Sequence, residues 1–89
     1  MTARRAVVRG RVQGVGFRFY AERSARALGV FGWVRNRPDG SVESFVEGEE
    51  DAVAEYLRRL ERGPAGSRVE GVDVEAADST GAESFEIRR

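Results

Sequence analysis

The sequence predicts an α+β fold, an antiparallel sheet with two helices on one face. Two segments with a helical spacing of apolar residues each stand between strand-like segments, which indicates the order β-α-β-β-α-β plus a short final strand. A proline–aspartate–glycine turn joins the middle pair of strands into a hairpin. The chain has 89 residues, so we expect one domain spanning residues 1–89.

The first half of this order is a strand, a loop and a helix. Residues 5–12, RAVVRGRV, are rich in valine and partly alternate, which is typical of a strand. A helix is predicted over residues 17–28, where apolar residues recur in steps of four, four and three and share one face: Phe17, Ala21, Ala25 and Leu28. Gly29 is expected to end this helix, because glycine readily takes the left-handed conformation found at helix C-termini.

The second half contains a hairpin, a helix and two further strands. β-Branched and aromatic residues predict strands at residues 30–37, VFGWVRNR, and 41–48, SVESFVEG. Residues 49–63 predict a helix with acidic residues in its first turn and arginines in its last, as the helix dipole favours. Strands at 68–76 and 83–89 complete the order of a ferredoxin-like sandwich, which hosts many functions and does not choose among them.

The residue inventory excludes several kinds of chemistry. The chain contains no histidine, cysteine or lysine, which removes the commonest general base, the thiolate nucleophile, the Schiff-base amine and the usual zinc ligands. Fifteen basic residues balance fifteen acidic ones, so charge favours neither nucleic acid nor a membrane surface as a partner. We expect no membrane span and no secretory signal. Because the chain also lacks cysteine, we expect a cytoplasmic location.

A glycine-rich loop, GRVQGVGFR at residues 10–18, lies between the first strand and the first helix. Helix N-termini present unpaired N–H groups and a positive dipole end, and glycines let successive N–H groups converge on an anion. Arg18 falls in the first turn, where the dipole disfavours a cation unless an anion is bound nearby. Its guanidinium can hold two phosphate oxygens. These features indicate a phosphate site, but the loop matches neither P-loop nor dinucleotide spacing and is equally compatible with a tight turn.

The two carboxamide side chains are further candidates. Asn36 is the only asparagine and lies near the end of a predicted strand, where asparagine is disfavoured. Strand alternation places it on the same face as Gly32 and Val34. Its side chain either points at a ligand or a water molecule, or caps the turn that follows. Gln13 either touches a ligand or braces the loop.

Two long motifs in this sequence resemble those of the acylphosphatase family. GRVQGVGFR at residues 10–18 resembles the family's first signature, and GWVRNRPDGSVESFVEG at residues 32–48 resembles its second. Both stand in the family's order and separation, and no signature position departs from the pattern. The terminal SFEIRR also looks like family members, so the resemblance covers essentially the whole chain and implies a single acylphosphatase-like domain over residues 1–89.

The resemblance implies an acylphosphatase, a hydrolase acting on acid anhydrides in phosphorus-containing compounds. Water attack would convert an acyl phosphate into a carboxylate and inorganic phosphate, which is expected to be a competitive inhibitor. By resemblance, Asn36 orients the water, and Arg18 binds the phosphoryl group together with the amides of a loop made of Gln13, Gly14, Val15, Gly16, Phe17 and Arg18. The resemblance implies no metal, cofactor, nucleic acid or membrane partner, and we expect a monomer.

Two non-catalytic binding modules of ferredoxin-like fold are the alternatives. An RNA-binding domain has the same element order, and RGRVQGVGFRFY partly follows the Gly-Phe rhythm of its aromatic motif. That motif requires exposed aromatic residues on a central strand. The other alternative is an acyl-phosphate-binding domain like the one at the front of the larger hydrogenase-maturation carbamoyltransferases. This sequence has neither the length nor the zinc-finger cysteines of those proteins.

Overall fold

The computed structural model describes residues 1–89 and contains five strands and two helices. Along the chain these elements are β1 (Thr2–Arg11), α1 (Phe17–Leu28), β2 (Phe31–Asn36), β3 (Val42–Gly48), α2 (Glu50–Arg62), β4 (Arg68–Ala76) and β5 (Phe85–Arg88). The predicted fold class and element order are confirmed. The bounds differ most at β1, which begins at Thr2 rather than at residue 5, and at β5, which begins at Phe85 rather than at residue 83.

The five strands form one sheet in the order β4-β1-β3-β2-β5. The four longer strands pair antiparallel, as predicted. The short β5 pairs parallel with β2, from Gly32 opposite Phe85 to Arg35 opposite Arg88, so the complete sheet is mixed. Because β2 would otherwise be an unpaired edge, this added strand covers its open hydrogen-bonding groups.

Both helices pack on one face of the sheet and bury an apolar core. Alternate strand residues supply one side of that core and the inward faces of the helices supply the other; fully buried members include Ala6, Val8, Val34, Val42, Val46, Phe17, Ala21, Ala25, Val53, Tyr56 and Leu60. The Tyr56 hydroxyl lies 2.8 Å from the hydroxyl of Ser44, which itself donates to the carbonyl of Trp33. Burial raises the pKa of Tyr56, so it stays a neutral, satisfied member of the core.

The opposite face of the sheet carries paired charges and aromatic rings. Glu43 of β3 is 2% exposed and forms salt bridges with Arg5 of β1 and Arg35 of β2. Burial opposes ionisation of Glu43, but hydrogen bonds from the two guanidinium groups hold its pKa below the usual range. Trp33 stacks on Phe45 at a centroid separation of 6.4 Å. This face is therefore held together by interactions within the sheet.

The segment between β4 and β5, residues 77–84, crosses the end of the sheet and is held by Glu47. This carboxylate accepts hydrogen bonds from the hydroxyls of Ser79 and Thr80 and from three backbone amides, those of Thr80, Gly81 and Ala82, each at 3.2 Å. Glu47 is only 1% exposed. Burial raises its pKa, but these hydrogen bonds outweigh burial and lower the pKa to about 2. The crossing segment is thus anchored by an internal anion.

Candidate active site

The strand order brings the glycine-rich loop next to Asn36. β1 and β2 are both antiparallel to the central β3, so they are parallel to each other and end at the same edge of the sheet. Val42 pairs with Val8 on one side and with Asn36 on the other. The loop that leaves β1 and the last residue of β2 therefore meet at this edge.

The loop has the alternating backbone conformation of an anion-binding nest. Gly14 and Gly16 have φ values of 73° and 77°, whereas Val15 between them has no positive φ. Alternation of this kind points successive N–H groups toward the same side of the backbone. Gly16 is also the N-cap of α1, which has no side-chain cap and no acidic residue in its first turn. The N–H groups at this helix start are therefore without a side-chain acceptor.

Arg18 lies in the first turn of α1 and is half-buried. It takes part in no salt bridge and no side-chain hydrogen bond. By contrast, Arg5 and Arg35 on the other face of the sheet both engage Glu43. A cation beside the positive end of a helix is unfavourable without an anion. Arg18 and the uncapped helix start would therefore both be stabilised by a negatively charged ligand.

Asn36 contributes a buried acceptor that the fold leaves without a partner. Its Oδ1 atom is the only buried side-chain nitrogen or oxygen atom in the structure that makes no hydrogen bond. An unsatisfied buried polar atom costs about 1–3 kcal/mol, so such atoms are rare outside functional sites. Asn36 does not cap the turn that follows it. Asp39 caps this turn instead, by accepting hydrogen bonds from the backbone N–H and the hydroxyl of Ser41.

One cavity of about 120 Å³ brings these groups together. Its lining consists of Val12, Gly14, Gly16, Phe17, Arg18, Phe19 and Asn36. Five of the predicted site residues are in this lining, and Gln13 and Val15 are not. Val12 and Phe19 were not among the predicted residues. Phe19 lies off the apolar face of α1 and is 67% exposed, and an aromatic residue at a solvent-facing helix position is the signal that could have identified it.

Gln13 and Val15 hold the loop in place. The Gln13 side chain donates from Nε2 to the carbonyl oxygens of Arg37 and Ser41, at 2.8 and 2.9 Å. The sequence left open whether the Gln13 side chain contacts a ligand or braces the loop. These two hydrogen bonds show that it braces the loop. Val15 packs against the core beneath the loop. Gln13 ties the loop to the turn that follows Asn36, so the two halves of the site are linked directly.

The open face of the sheet also carries a cavity, of about 330 Å³. Its charged lining is already neutralised, because Arg5 pairs with Glu75 and Arg9 pairs with Asp73. This cavity offers no cation comparable with Arg18. The central strands likewise lack the surface that an RNA-binding domain needs, since β1 has no aromatic residue and Phe45 of β3 is 7% exposed. Neither helix is long and apolar enough to cross a membrane.

Comparison with known proteins places the two sequence motifs in a family. The model of the acylphosphatase family matches residues 4–87. An acylphosphatase from Nocardioides sp. is 53% identical over 81 residues, covering 91% of this chain and 82% of the relative. An acylphosphatase from Anaeromyxobacter dehalogenans is 55% identical over 85 residues, covering 94% and 91%. The crystal structure of acylphosphatase from Bacillus subtilis superposes with a TM-score of 0.96 at 38% identity, covering all of both chains.

Proposed function

The chain belongs to the acylphosphatase family and is a hydrolase of small-molecule acyl phosphates, and we propose that Arg18 and the loop amides bind the phosphoryl group while Asn36 orients the attacking water. One observation carries this assignment: the unpaired guanidinium, the uncapped helix start and the orphan Oδ1 of Asn36 all belong to the same cavity. Together they offer donors for an oxyanion and an acceptor for a water hydrogen.

The binding half of the proposed mechanism uses Arg18 and the loop. The amides at residues 13–18 and the guanidinium would contact the non-bridging phosphoryl oxygens. Charge on these oxygens persists in the transition state, and donors fixed by the fold need no reorganisation to stabilise it. The glycines at 14 and 16 allow this approach because no side chain stands between the amides and the anion.

The water half of the mechanism uses Asn36. A water molecule that donates a hydrogen bond to the buried Oδ1 would be held with a lone pair directed at phosphorus. Its oxygen forms the new bond to phosphorus and one of its protons passes to a phosphoryl oxygen, while the bond from phosphorus to the acyl oxygen breaks and its electron pair remains on the carboxylate. Because that carboxylate is a weak base, the reaction needs little acid catalysis, which agrees with a chain that lacks histidine and lysine.

Further features of the proposal follow from the same site. Inorganic phosphate, the product, has the shape and charge that the loop would hold, so it should inhibit competitively. The proposal assigns no role to a metal ion, and hydrolysis of benzoyl phosphate should continue in excess EDTA.

We also propose that residues 1–89 act as one domain and as a cytoplasmic monomer, supported by a core shared by both helices and by the absence of cysteine.

The deciding experiment separates binding from water positioning at Asn36. We expect Asn36→Ala to lower kcat by about 10²–10³, the loss typical when one oriented polar group is removed from an active site. The inhibition constant of phosphate should change little, because Oδ1 would act on the water and not on the anion. Benzoyl phosphate hydrolysis and phosphate inhibition, measured in EDTA, provide both numbers.

Asn36→Asp is the matched control for this experiment. It preserves size and an acceptor oxygen but places a negative charge beside the bound anion, so it should weaken phosphate inhibition as well as turnover. If the role were only structural, Asn36→Ala would lower the thermal midpoint and Asn36→Asp would be nearly silent in kcat. That pattern would contradict the proposed role of Asn36.

A further inference from the structure

A second, larger cavity adjoins the candidate active site. It is open to solvent, has a volume of about 530 Å³ and is lined by Arg18, Phe19, Ile87 and Arg89. Two of these residues, Arg18 and Phe19, also line the cavity of about 120 Å³ that contains Asn36. The two cavities therefore share a wall, and a molecule held by Arg18 in one can extend past Phe19 into the other.

The sizes of the two cavities suit different parts of one substrate. The smaller lies below the roughly 300–1,000 Å³ that is typical of small-molecule pockets, and the larger lies within that range. In an acyl phosphate, a single bridging oxygen joins phosphorus to the acyl carbon. With the phosphoryl group at Arg18, the acyl group must begin at the shared wall, and the larger cavity is the adjoining space that Arg18 and Phe19 also line.

The lining of the larger cavity is apolar at its walls and cationic at Arg89. Phe19 is 67% exposed, the highest value among the large hydrophobic residues after Met1. Ile87 is half-buried and packs against the core behind the cavity. No acidic side chain lines this space. Such a surface favours a ligand that has an apolar body and an anionic end.

Arg89 differs from its neighbour Arg88 in the way its charge is used. Arg88 lies 3.9 Å from Glu86 and 5.0 Å from the ring centroid of Trp33, on the open face of the sheet. Arg89 forms no salt bridge and no side-chain hydrogen bond. Its guanidinium is exposed beside Ile87 and lines the cavity together with that of Arg18, paired with no acidic side chain.

We propose that this cavity is the subsite for the acyl group and that it favours acyl groups carrying a second oxyanion. Phe19 and Ile87 would contact the apolar body of the acyl group, and Arg89 would pair with the oxyanion at its far end. The inference rests on the proposed function, because it requires the phosphoryl group to be held at Arg18. It assigns a role in substrate choice to three residues outside the phosphate loop.

Two rigid substrates of matched shape test this inference. Benzoyl phosphate and 4-carboxybenzoyl phosphate share the same ring, and the second adds a carboxylate that cannot fold back on the phosphate. The quantity to measure is the ratio of their kcat/KM values, because comparing this ratio between enzymes cancels the intrinsic reactivity of each substrate. Arg89→Gln should reduce the preference for the carboxylated substrate about two- to fivefold, the range of a solvent-exposed ion pair.

Arg88→Gln is the matched control. It removes the same charge from the adjacent residue, but from the face that carries Trp33 and not from the cavity. The substrate ratio should stay at the wild-type value in Arg88→Gln, and it should fall with added salt in the wild-type enzyme. Ile87→Ala should lower kcat/KM for both substrates while phosphate inhibition persists, because Ile87 lines the larger cavity and not the one that contains Asn36.

The inference is overturned if Arg89→Gln leaves the ratio unchanged, or if Arg88→Gln shifts it equally. A different result would show that the proposed function is wrong: the Arg18→Ala enzyme would retain turnover. If Arg18→Ala is inactive and the ratio is insensitive to Arg89, the phosphate site stands and only the acyl subsite is refuted.

Discussion

Two loops of this protein present several backbone amides to one side, and only one of them encloses an anion that the chain itself supplies. The segment at residues 77–84 directs three amides and two hydroxyls at the carboxylate of Glu47. The loop between β1 and α1 has converging amides, an uncapped helix start and Arg18, but no carboxylate of its own. The same donor chemistry thus serves structure in the first case and, as proposed above, binding in the second.

The difference lies in the charge that the sequence supplies to each loop. Glu47 projects from the central strand, is 1% exposed, and neutralises its loop from within. No acidic residue lies in the first turn of α1 or in the lining of its cavity. An amide-rich loop is therefore a candidate ligand site when the fold leaves its donors unsatisfied, and a structural anchor when the fold satisfies them.

The largest expected effect comes from Arg18, an unpaired cation that lines the same cavity as Asn36. Arginines that stabilise transferring phosphoryl groups contribute about 10³–10⁵ in rate, so Arg18→Ala should lose at least about 10³ in kcat/KM. Arg18→Lys should also be damaging, because the two-pronged guanidinium contact is lost. Kinetics with benzoyl phosphate measure both losses.

Arg23→Ala is the control for this prediction. Arg23 is an exposed arginine of α1 that forms no salt bridge, so its removal changes the net charge of the helix equally. It should retain activity close to the wild-type level. Near-normal kinetics in a folded Arg18→Ala protein would show that the loop between β1 and α1 is only a turn.

Substituting the loop glycines should have an intermediate effect on phosphate inhibition. Because both loops contain such a glycine, the two loops can be compared directly. Gly14, Gly16 and Gly81 have φ values of 73°, 77° and 75°, and a Cβ atom added at any of them would meet no atom within 4 Å. Valine at any of them is therefore strained by backbone conformation alone, at about 1–3 kcal/mol. Gly14→Val or Gly16→Val should weaken phosphate inhibition about tenfold or more, since 1.4 kcal/mol corresponds to tenfold in affinity.

Gly81→Val supplies the matched comparison in the loop held by Glu47. It introduces similar strain, but it should lower the thermal midpoint while leaving phosphate inhibition near the wild-type value. Equal effects of all three substitutions on phosphate inhibition would remove the distinction between the two loops.

The smallest effect on catalysis, with a distinct effect on stability, is expected for Glu47→Gln. The amide keeps one acceptor but turns an N–H donor toward groups that are themselves donors, which should cost about 1–3 kcal/mol of unfolding free energy at neutral pH. The kcat value should change little, because Glu47 does not line the cavity that contains Asn36. Denaturant unfolding and benzoyl phosphate kinetics provide the two measurements.

The pH dependence of the same variant tests the ionic character of this anchor. The pKa of Glu47 falls from 4.5 to about 2 on folding, so the unfolded chain binds the proton more readily than the folded one. The stabilisation is complete above pH 4.5 and is lost as the pH falls toward 2. The stability difference between wild type and Glu47→Gln should therefore shrink over this interval, and a constant difference would contradict the ionic anchor.

The order of elements and the glycine-rich loop before Arg18 could be predicted from the sequence alone. Strand and helix periodicity, the turn between β2 and β3, and the glycines before Arg18 are local features, and local conformational preference is sufficient to predict them. The family motifs marked Asn36 as well, although the residues alone left its role open between a ligand contact and a turn cap. Phosphate inhibition, the monomeric state and the cytoplasmic location stay predictions.

The folded structure reveals the contacts between residues distant in the chain, which the sequence alone does not predict. It paired β5 parallel with β2, directed Gln13 to the carbonyls of Arg37 and Ser41, and joined the two cavities at Arg18 and Phe19. Glu47 reads in the sequence as one more polar residue of an alternating strand, yet its hydrogen-bond donors lie 32 to 35 residues later. Whether an amide-rich loop is satisfied by an internal carboxylate or left without one depends on which partners the packed chain brings within hydrogen-bonding distance, and no local pattern contains that information.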